Sequence, residues 1–359
     1  LDYIKLYRKF TYTEQESYRL DYIAQVELGE GKLDYRDEGY TDLDDLRLRN
    51  FQLYIEYNVR DVEIVERLED KLKLIELVYA LAYDAKVNYE DTMATVKQWD
   101  VITHNYLLDR NIVVPLNDKN KPDRAFVGGY VKDPKVGMSK WVVSFDLNSL
   151  YPHLIMQYNI SPETLVTRLK DKVSIDDLLV GGASQFGDYL DKTNCTIAAN
   201  LCIYTKEKRG FLPSIMDRMY DDRTRYKKQM IKVKKEYEKT KNPLLVKEIA
   251  RLDNMQMAKK IQLNSAYGAL GNKWFRWFDV NNAEAITTSG QLSIRWIENK
   301  LNDYLNKLLK TENFDYVLAS DTDSVYVTLE YLVKNVFGDD VPETKKVIQY
   351  IDKICKERI

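Results

Sequence analysis

The chain has 359 residues, too many for one ordinary hydrophobic core, so two or three domains are expected. Its 45% apolar and 31% charged residues are typical of a soluble globular protein, no apolar run approaches the ~18 residues of a membrane span, and the first residues lack a signal peptide. These features exclude a membrane protein and predict a cytosolic one. Cys195, Cys202 and Cys355 form no Cys-x-x-Cys pair and favour structural thiols over a zinc site, and two histidines disfavour imidazole acid–base chemistry as the main device.

Helical periodicity from about Asn50 to Tyr83 predicts a long helix near the start of the chain. Tyr57 and Asp61 are four residues apart and therefore lie on one face of that helix. Taken alone, so short a pattern is typical of a solvated helix face.

Two adjacent glycines precede the first predicted strand. After a loop from Asn117 to Asp123 (NDKNKPD), Gly128 and Gly129 either let the backbone come close to another group or make a turn, and the residues leave both alternatives open. The run Trp141 to Phe145 (WVVSF) then predicts a strand that ends at Asp146.

Residues 213–239 and 243–270 show two long helical patterns, each with proline at or near its start. Three residues, 240–242, join them, so we expect an antiparallel hairpin.

The basic charge of the chain is concentrated in and around this hairpin. Between Lys206 and Lys260, 17 Lys and Arg residues face 8 Asp and Glu residues, although the net charge of the chain is −2. Lysine-rich helices are often solvated surface. The alternative is phosphate binding, because Arg223 and Lys227 at i and i+4, together with Lys260, would converge near one end of the hairpin.

The second helix of the hairpin carries a polar stripe. Lys260, Asn264 and Tyr267 stand at i, i+4 and i+7, which places a cation, an amide and an aromatic ring on one face. A core helix would not carry lysine and asparagine there. Farther along, residues 274–278 (WFRWF) favour packing over base stacking, and residues 281–310 predict an amphipathic helix.

The most informative segment is Ala319 to Val325 (ASDTDSV), which lies between two alternating apolar runs. Asp321 and Asp323 are one residue apart at a strand-turn-strand junction, so their carboxylates point the same way. An ordinary polar hairpin turn would explain this segment equally well. With Asp146 at a second strand end, however, the pattern suits two magnesium ions about 3.5–4 Å apart that clamp a transferring phosphoryl group.

Three of these segments resemble the polymerase motifs of family B DNA polymerases. Asp146-Leu-Asn-Ser-Leu-Tyr-Pro resembles motif A, Lys260-Ile-Gln-Leu-Asn-Ser-Ala-Tyr-Gly resembles motif B, and Asp321-Thr-Asp-Ser resembles motif C, in the family's order. The flanking sequences are similar to those of the replicative polymerases of the T-even bacteriophages: Phe126-Val-Gly-Gly, Asn159-Ile-Ser-Pro-Glu-Thr and Ala269-Leu-Gly-Asn. The resemblance covers nearly the whole chain.

The resemblance implies an α+β, multidomain fold. Its parts would be a palm with an antiparallel β-sheet and supporting helices, fingers made of a helical hairpin, and the remnant of an RNase H-like exonuclease domain. The implied divisions are residues 1–75 (exonuclease remnant), 76–124 (linking region), 125–204 (first part of the palm with motif A), 205–271 (fingers with motif B) and 272–359 (second part of the palm with motif C). We therefore expect a fragment without the N-terminal part, most of the exonuclease and the thumb.

The resemblance also implies template-directed DNA synthesis in phage-type replication, with proofreading by the parent protein. Asp146, Asp321 and Asp323 would be catalytic. Asp146, Asp323 and the Leu147 carbonyl would hold two Mg²⁺ ions, which Mn²⁺ could replace, and Asp321 would be a looser ligand or an electrostatic support.

The implied binding residues surround this centre. The incoming nucleotide would be held by Ser149, Leu150, Tyr151, Arg223, Lys227, Lys260 and Asn264. The ring of Tyr151 would exclude a 2′-hydroxyl, and Tyr267 and Gly268 would check the nascent base pair. Gly128 and Gly129 would contact the template, and Tyr57 and Asp61 would belong to the third exonuclease motif.

The implied partners are primer-template DNA and deoxynucleoside triphosphates, in the cytoplasm of the infected host and without a membrane. A sliding clamp and a single-strand-binding protein would contact regions outside this chain. The alternatives are a non-catalytic nucleic-acid-binding fragment and a metal-dependent nuclease centred on Asp61, which needs acidic partners farther upstream. Tyr151 disfavours an RNA polymerase or a reverse transcriptase.

Two segments depart from the family pattern. Many members have glycine where this chain has Ser320, and if that position needs φ > 0 the serine would be strained or would shift Asp321. The segment from Thr167 to Thr193 matches no motif.

Overall fold

The computed structural model describes residues 2–11, 13–118, 125–171, 173–338 and 344–359. Most of the predicted loop from Asn117 to Asp123 lies outside these ranges. The chain divides into two compact units, unit 1 (Leu1–Val101 and Asp222–Lys260) and unit 2 (Ile102–Asp221 and Ile261–Ile359). The domain boundaries predicted from the sequence stay a prediction. Across the ranges given above, no helix is long and apolar enough to cross a membrane.

The regular elements of unit 1 are all helices in its described residues. Its N-terminal part contains α1 (Tyr3–Phe10), α2 (Leu20–Leu28), α3 (Leu43–Arg49), α4 (Phe51–Leu72), α5 (Leu74–Ala85), a 3-10 helix (Tyr89–Met93) and the start of α6 (Thr95–Leu108). Buried apolar residues such as Leu6, Ile64 and Val78 form its core.

The single helix predicted from Asn50 to Tyr83 is wrong, because the chain breaks between α4 and α5 at Lys73, whose backbone is left-handed with φ 55°. The Glu69 carboxylate accepts hydrogen bonds from two N–H groups in the first turn of α5, at 3.1 and 3.4 Å. It thereby satisfies groups that a helix start leaves unpaired. Periodicity cannot detect this break, since Leu68 and Leu77 are buried on either side of it.

Unit 2 combines helices with antiparallel strands, as the predicted α+β class requires. Its first part contains β1 (Val131–Lys132), β2 (Val142–Asp146), α7 (Leu150–Tyr158), β3 (Leu165–Arg168), α8 (Ile175–Leu179), a 3-10 helix (Gly182–Phe186), α9 (Gly187–Thr193), β4 (Cys195–Ile197) and β5 (Cys202–Thr205). Its last part contains α12 (Val280–Leu309), β6 (Val317–Asp321), β7 (Ser324–Thr328), α13 (Glu330–Phe337) and α14 (Thr344–Glu357).

Between these two parts run the helices α10 (Phe211–Thr240) and α11 (Leu244–Leu270), which contribute residues to both units. Both predicted helices of the hairpin are therefore confirmed. Pro213 lies in the first turn of α10, where its missing N–H costs no helical hydrogen bond. Lys259 of α11 lies 3.7 Å from a carboxylate oxygen of Asp222 in α10, which joins the two helices within unit 1.

Two antiparallel sheets lie in unit 2. The larger has the strand order β1-β6-β7-β2, and the smaller has the order β3-β5-β4. In the larger sheet β6 and β7 form the predicted strand-turn-strand, while β2 pairs with β7 so that Asp146 lies opposite Ser324. Two segments about 180 residues apart in the sequence thus end at the same edge of one sheet.

A hydrophobic core supports the larger sheet from one side. The predicted helix of residues 281–310 is confirmed as α12, whose Ile294 and Leu305 are buried with Val317, Val325 and Val327 of β6 and β7. In the aromatic segment before α12, Phe275 is buried and the Trp277 ring packs 4.9 Å from that of Phe211, whereas Trp274 is 61% exposed. Packing is therefore confirmed for Phe275 and Trp277.

Candidate active site

The turn between β6 and β7 carries two of the predicted catalytic aspartates. Asp321 ends β6, and the N–H of Asp323 donates to the Asp321 carbonyl at 2.5 Å. So tight a turn gives Thr322 a left-handed backbone with φ 52°, which L-residues rarely adopt. Two contacts hold it: the Thr322 N–H donates to the Tyr130 carbonyl at 2.9 Å, and the Thr322 hydroxyl donates to the Asp321 carboxylate at 2.9 Å.

Ser320 does not have the strained backbone considered above. It lies within β6 opposite Val325, is buried, and has no positive φ. The left-handed residue of this turn is Thr322, two positions later. Strain at Ser320 therefore gives no reason to expect a displaced Asp321.

Backbone pairing brings Asp146 to this turn. Asp146 is the last residue of β2 and lies opposite Ser324, and the N–H of the next residue, Leu147, donates to the carbonyl of Asp323 at 2.8 Å. The Leu147 carbonyl accepts the N–H of Leu150 at 3.1 Å, and a carbonyl has a second lone pair available. The structure thus brings the three predicted catalytic aspartates to one sheet edge.

The carboxylates at this sheet edge repel one another. Burial raises the pKa of Asp323, and the neighbouring charges of Asp146 and Asp321 raise it further. A carboxylate in this environment is less stable in its charged form than in water. The arrangement therefore favours a bound cation.

The donor atoms at this edge fit a hard divalent cation, since carboxylate and carbonyl oxygens are the ligands that magnesium prefers. Within the residues that the structure describes, no group of three or more His, Cys, Asp or Glu side chains is arranged as a metal site. The fit rests on the mutual repulsion of Asp146 and Asp323, which a cation between them would relieve.

Two tyrosines from different motifs meet beside the aspartates. Tyr151 in the first turn of α7 lies with its ring 4.8 Å from that of Tyr267 on α11, edge to face. Burial raises the pKa of Tyr151, with further contributions from Asp323 and Asp321, and burial beside Tyr151 raises the pKa of Tyr267 to about 12. Both phenols therefore stay neutral at physiological pH.

Gly290 of α12 permits this position of Tyr151, because a Cβ at residue 290 would come within 2.9 Å of the tyrosine ring. Gly290 was not among the site residues predicted from the sequence. Its signal was a glycine inside a helical pattern, which often marks close packing.

The two adjacent glycines have different surroundings. A Cβ at Gly129 would lie 2.8 Å from the Thr322 hydroxyl and 3.1 Å from the Tyr151 hydroxyl, whereas one at Gly128 would meet nothing within 4 Å. The carbonyl of Gly128 accepts a hydrogen bond from Gln291 at 2.6 Å. Close approach is thus confirmed for Gly129, and its neighbour is the chain's own turn. Template contact by either glycine stays a prediction.

The predicted nucleotide-binding side chains divide between the units. Arg223, Lys227 and Lys260 belong to unit 1, and Asn264 belongs to unit 2 with Ser149, Leu150, Tyr151, Tyr267 and Gly268. Lys260, Asn264 and Tyr267 lie on one helix, α11, so their stripe exists as predicted. Arg223 and Lys260 are half-buried, and Lys227 is exposed.

The sequence analysis missed Lys259, which is buried beside Lys260. Its ammonium group lies 2.7 Å from Asp84 and 3.7 Å from Asp222, two carboxylates of unit 1. Successive residues of a helix point about 100° apart, so the two adjacent lysines face different surroundings. Lys259 makes a structural ion pair.

Tyr57 and Asp61, the residues of the predicted exonuclease motif, share one face of α4. The ammonium group of Lys32 contacts both, at 2.8 Å from the Tyr57 hydroxyl and 2.7 Å from Asp61 Oδ2. Lys32 was not predicted from the sequence, because no spacing rule connects it to Tyr57, 25 residues farther along.

Comparison with known proteins gives the family. Residues 93–348 match the model of DNA polymerase family B. The chain is 34% identical over 401 residues to the DNA-directed DNA polymerase of Escherichia phage RB69 and 32% identical over 400 residues to that of Enterobacteria phage T4, and each alignment covers 100% of this chain and 43% of the relative. DNA polymerase 1 of Pyrococcus abyssi is 29% identical over 71% of this chain and 28% of its own length.

The chain therefore belongs to DNA polymerase family B, as its motifs predicted, and it spans less than half the length of these relatives. Family B DNA polymerases use divalent metal ions.

We expect Asp323→Asn to raise the thermal unfolding midpoint of the metal-free protein at pH 7 by roughly 1–3 °C. The folded-state pKa of Asp323 is raised, so its charge opposes folding above that pKa, and the gain should vanish as the pH falls toward the ordinary value of 3.8. Calorimetry in EDTA across this pH range would measure the effect. The exposed Asp109→Asn serves as control, and an unchanged or lower midpoint in Asp323→Asn would contradict the electrostatic account.

We expect Gly129→Ala to destabilise the protein by about 1–2 kcal/mol, because the added methyl group must displace the Thr322 hydroxyl from Asp321. Gly128→Ala is the matched control, with open space around the new methyl group and the same change in the unfolded chain. Urea unfolding of both variants measures the difference. Equal free energies of unfolding for the two variants would mean that the Thr322 side chain moves aside without loss of stability, which would contradict the prediction.

Proposed function

We propose that this chain carries the polymerase site of a DNA-directed DNA polymerase, which adds deoxynucleotides to a primer 3′-hydroxyl on a DNA template in phage replication. The observation that carries the proposal is the pairing of β2 with β7, which sets Asp146 beside Asp323 at one sheet edge. The names of the two phage relatives support the same activity.

Asp146, Asp323 and the Leu147 carbonyl would hold two magnesium ions, which manganese could replace. Bound there, the ions would lower the pKa of the 3′-hydroxyl and neutralise charge on the phosphates. Asp321 is exposed and lies on the other side of the turn residue Thr322, so its role is electrostatic support or looser ligation. The pairing of β2 with β7 and the raised pKa of Asp323 both support Asp146 and Asp323 as the metal ligands.

The incoming triphosphate would be bound by cations and amides of several helices. Arg223, Lys227 and Lys260 would supply the positive charge, and Asn264 a hydrogen bond. Backbone N–H groups at Ser149 and Leu150 would complete the site at the start of α7. Because the Leu150 N–H donates to the Leu147 carbonyl, it must exchange that partner for a phosphate oxygen.

Tyr151 would select deoxynucleotides by occupying the space that a 2′-hydroxyl needs. The ring of Tyr267 packs against the ring of Tyr151, and α12 packs closely against the Tyr151 ring at Gly290. Tyr267 and Gly268 would face the minor groove of the nascent pair, where the acceptors are alike for correct pairs. Gly128 and Gly129 would lie along the template.

The parent protein would also proofread, with Asp61 as a metal ligand and Tyr57 positioning water. Asp61 Oδ1 is buried and has no hydrogen-bond partner among the described residues, which supports a ligand at this oxygen. Lys32 holds the other oxygen. The protein would act in the cytoplasm of the infected host. A sliding clamp and a single-strand-binding protein would be its partners, and both would contact regions outside this chain.

The test is primer extension with magnesium and deoxynucleotides on a primed template. Asp146→Asn and Asp323→Asn should each reduce extension on the order of 10²–10³-fold, because each removes a proposed metal-binding carboxylate. Asp109→Asn, an exposed aspartate of unit 2, should retain full activity. Absence of metal-dependent nucleotide binding in the unaltered chain would overturn the site assignment.

We expect Tyr151→Ala to raise the ratio of ribonucleotide to deoxynucleotide incorporation by about 10–100-fold, because a lost steric clash is worth a few kcal/mol. Tyr151→Phe keeps the ring and should keep the discrimination. Single-nucleotide kinetics with both sugar types gives the ratio. A ratio that rises equally in the two variants would assign the selection to the hydroxyl instead of the ring.

A further inference from the structure

We propose that Lys132 is a positioning residue of the polymerase site. Its side chain attaches β1 to α12 and to the start of β6, and the β1 segment stabilises the β6–β7 turn that carries Asp321 and Asp323. This inference rests on the proposed function, and no motif in the sequence pointed to this lysine.

The β1 segment contacts β6 and the β6–β7 turn through its backbone. β1 pairs with β6 so that Val131 lies opposite Asp321 and Lys132 lies opposite Ser320. One residue earlier, the Tyr130 carbonyl accepts the N–H of Thr322 at 2.9 Å. Thr322 has the left-handed backbone, and such residues persist only where their surroundings hold them. The backbone of the β1 segment therefore supplies the hydrogen bond that the strained residue needs.

Backbone pairing alone holds β1 only weakly in the sheet. It is two residues long, it lies at the edge of the sheet, and Val131 is exposed. Short edge strands contribute few backbone hydrogen bonds and open readily. Something besides pairing must fix its position.

The side chain of Lys132 provides that attachment. Its ammonium group lies 2.9 Å from Asp315 Oδ2 and also bonds Glu298 of α12, and the side chains of Lys132 and Glu298 are only 17% and 12% exposed. Asp315 precedes β6 and also accepts hydrogen bonds from Asn302 of α12 and from the N–H of Val317. One lysine thus joins β1 to the helix beneath the sheet and to the start of β6.

The charges around Lys132 make it hard to replace. Although burial acts against it, hydrogen bonds from Lys132, Lys135 and Asn302 lower the pKa of Asp315 to about 2. Glu298 has Lys132 as its ion-pair partner in the described chain. Removing one member of a buried pair leaves the other charge without compensation, which costs more than the pair itself contributes.

Lys135 offers a matched control. Its ammonium group lies 3.0 Å from the same Asp315 oxygen, but its side chain is 40% exposed and it lies beyond β1. Lys135→Met therefore removes a lysine and an Asp315 contact without loosening the strand that holds Thr322. Lys132→Arg is the conservative variant that keeps the charge and the hydrogen bonds.

The experiment compares Lys132→Met, Lys132→Arg and Lys135→Met. In Lys132→Met the rate of single-nucleotide incorporation and the affinity for Mn²⁺, measured by paramagnetic resonance without turnover, should each fall about 10-fold, the low end of what outer supports of metal sites contribute. The KM for deoxynucleotide should stay within about threefold, because Lys132 contacts no part of the proposed triphosphate site. Lys132→Arg and Lys135→Met should retain both properties.

A third measurement separates this inference from the proposed function. Hydrogen exchange of the Thr322 amide should become roughly 10-fold faster in Lys132→Met and stay unchanged in Lys135→Met, because exchange requires opening of the bond to Tyr130. Exchange that is the same in both variants would overturn the positioning role. An unaltered chain that lacks polymerase activity would refute the proposed function and still leave this exchange test decisive for Lys132.

Discussion

The candidate site depends on the backbone pairing of β2 with β7. The hydrogen bond from Leu147 N–H to the Asp323 carbonyl, together with the register that sets Asp146 opposite Ser324, fixes two carboxylates beside each other whatever their charge. Side chains alone could not do this, since like charges would separate by rotating or by moving apart. A sheet whose register is set by a buried face resists such movement. The carboxylates therefore continue to repel one another, which contributes to the raised pKa of Asp323, and a bound cation can relieve this repulsion.

The elements around this pairing serve to keep it undistorted. α12 supplies the buried face beneath β6 and β7, and one glycine of the same helix gives the Tyr151 ring its place. β1 lies against the other strand of the turn, with Gly129 in near contact with Thr322. Small residues and a left-handed threonine occur where backbone, ring and turn approach most closely. At these positions the residues depart from their usual conformational preferences so that the edge of the sheet is compact, and sequence rules are expected to fail at such positions.

Sequence reasoning succeeded where the signal was local. The alternation around Asp321 and Asp323 gave the strand-turn-strand, and periodicity gave α10, α11 and α12 to within a few residues. It failed where the backbone conformation of one residue or a distant side-chain contact was decisive. Periodicity continues the helix through Lys73, where the backbone is left-handed and Glu69 accepts hydrogen bonds from the first turn of α5. The sequence also did not show that the left-handed residue of the β6–β7 turn is Thr322 and not Ser320. Lys132 pairs with carboxylates 166 and 183 residues away, which no spacing rule could connect.

The distribution of lysines explains how a chain with a net charge of −2 can suit the anionic substrates proposed above. Six lysines of α10 form no ion pair in the described ranges, and they are Lys227, Lys228, Lys232, Lys234, Lys235 and Lys239. Some lysines elsewhere are paired with carboxylates, as Lys32 is with Asp61 and Lys259 is with Asp84. The net charge of −2 thus combines α10, which has nine Lys and Arg against five Asp and Glu, with a remainder in which acidic residues outnumber basic ones. Because screening at physiological salt limits charge effects to about 8 Å, phosphates near α10 would experience the local excess of lysine and not the total.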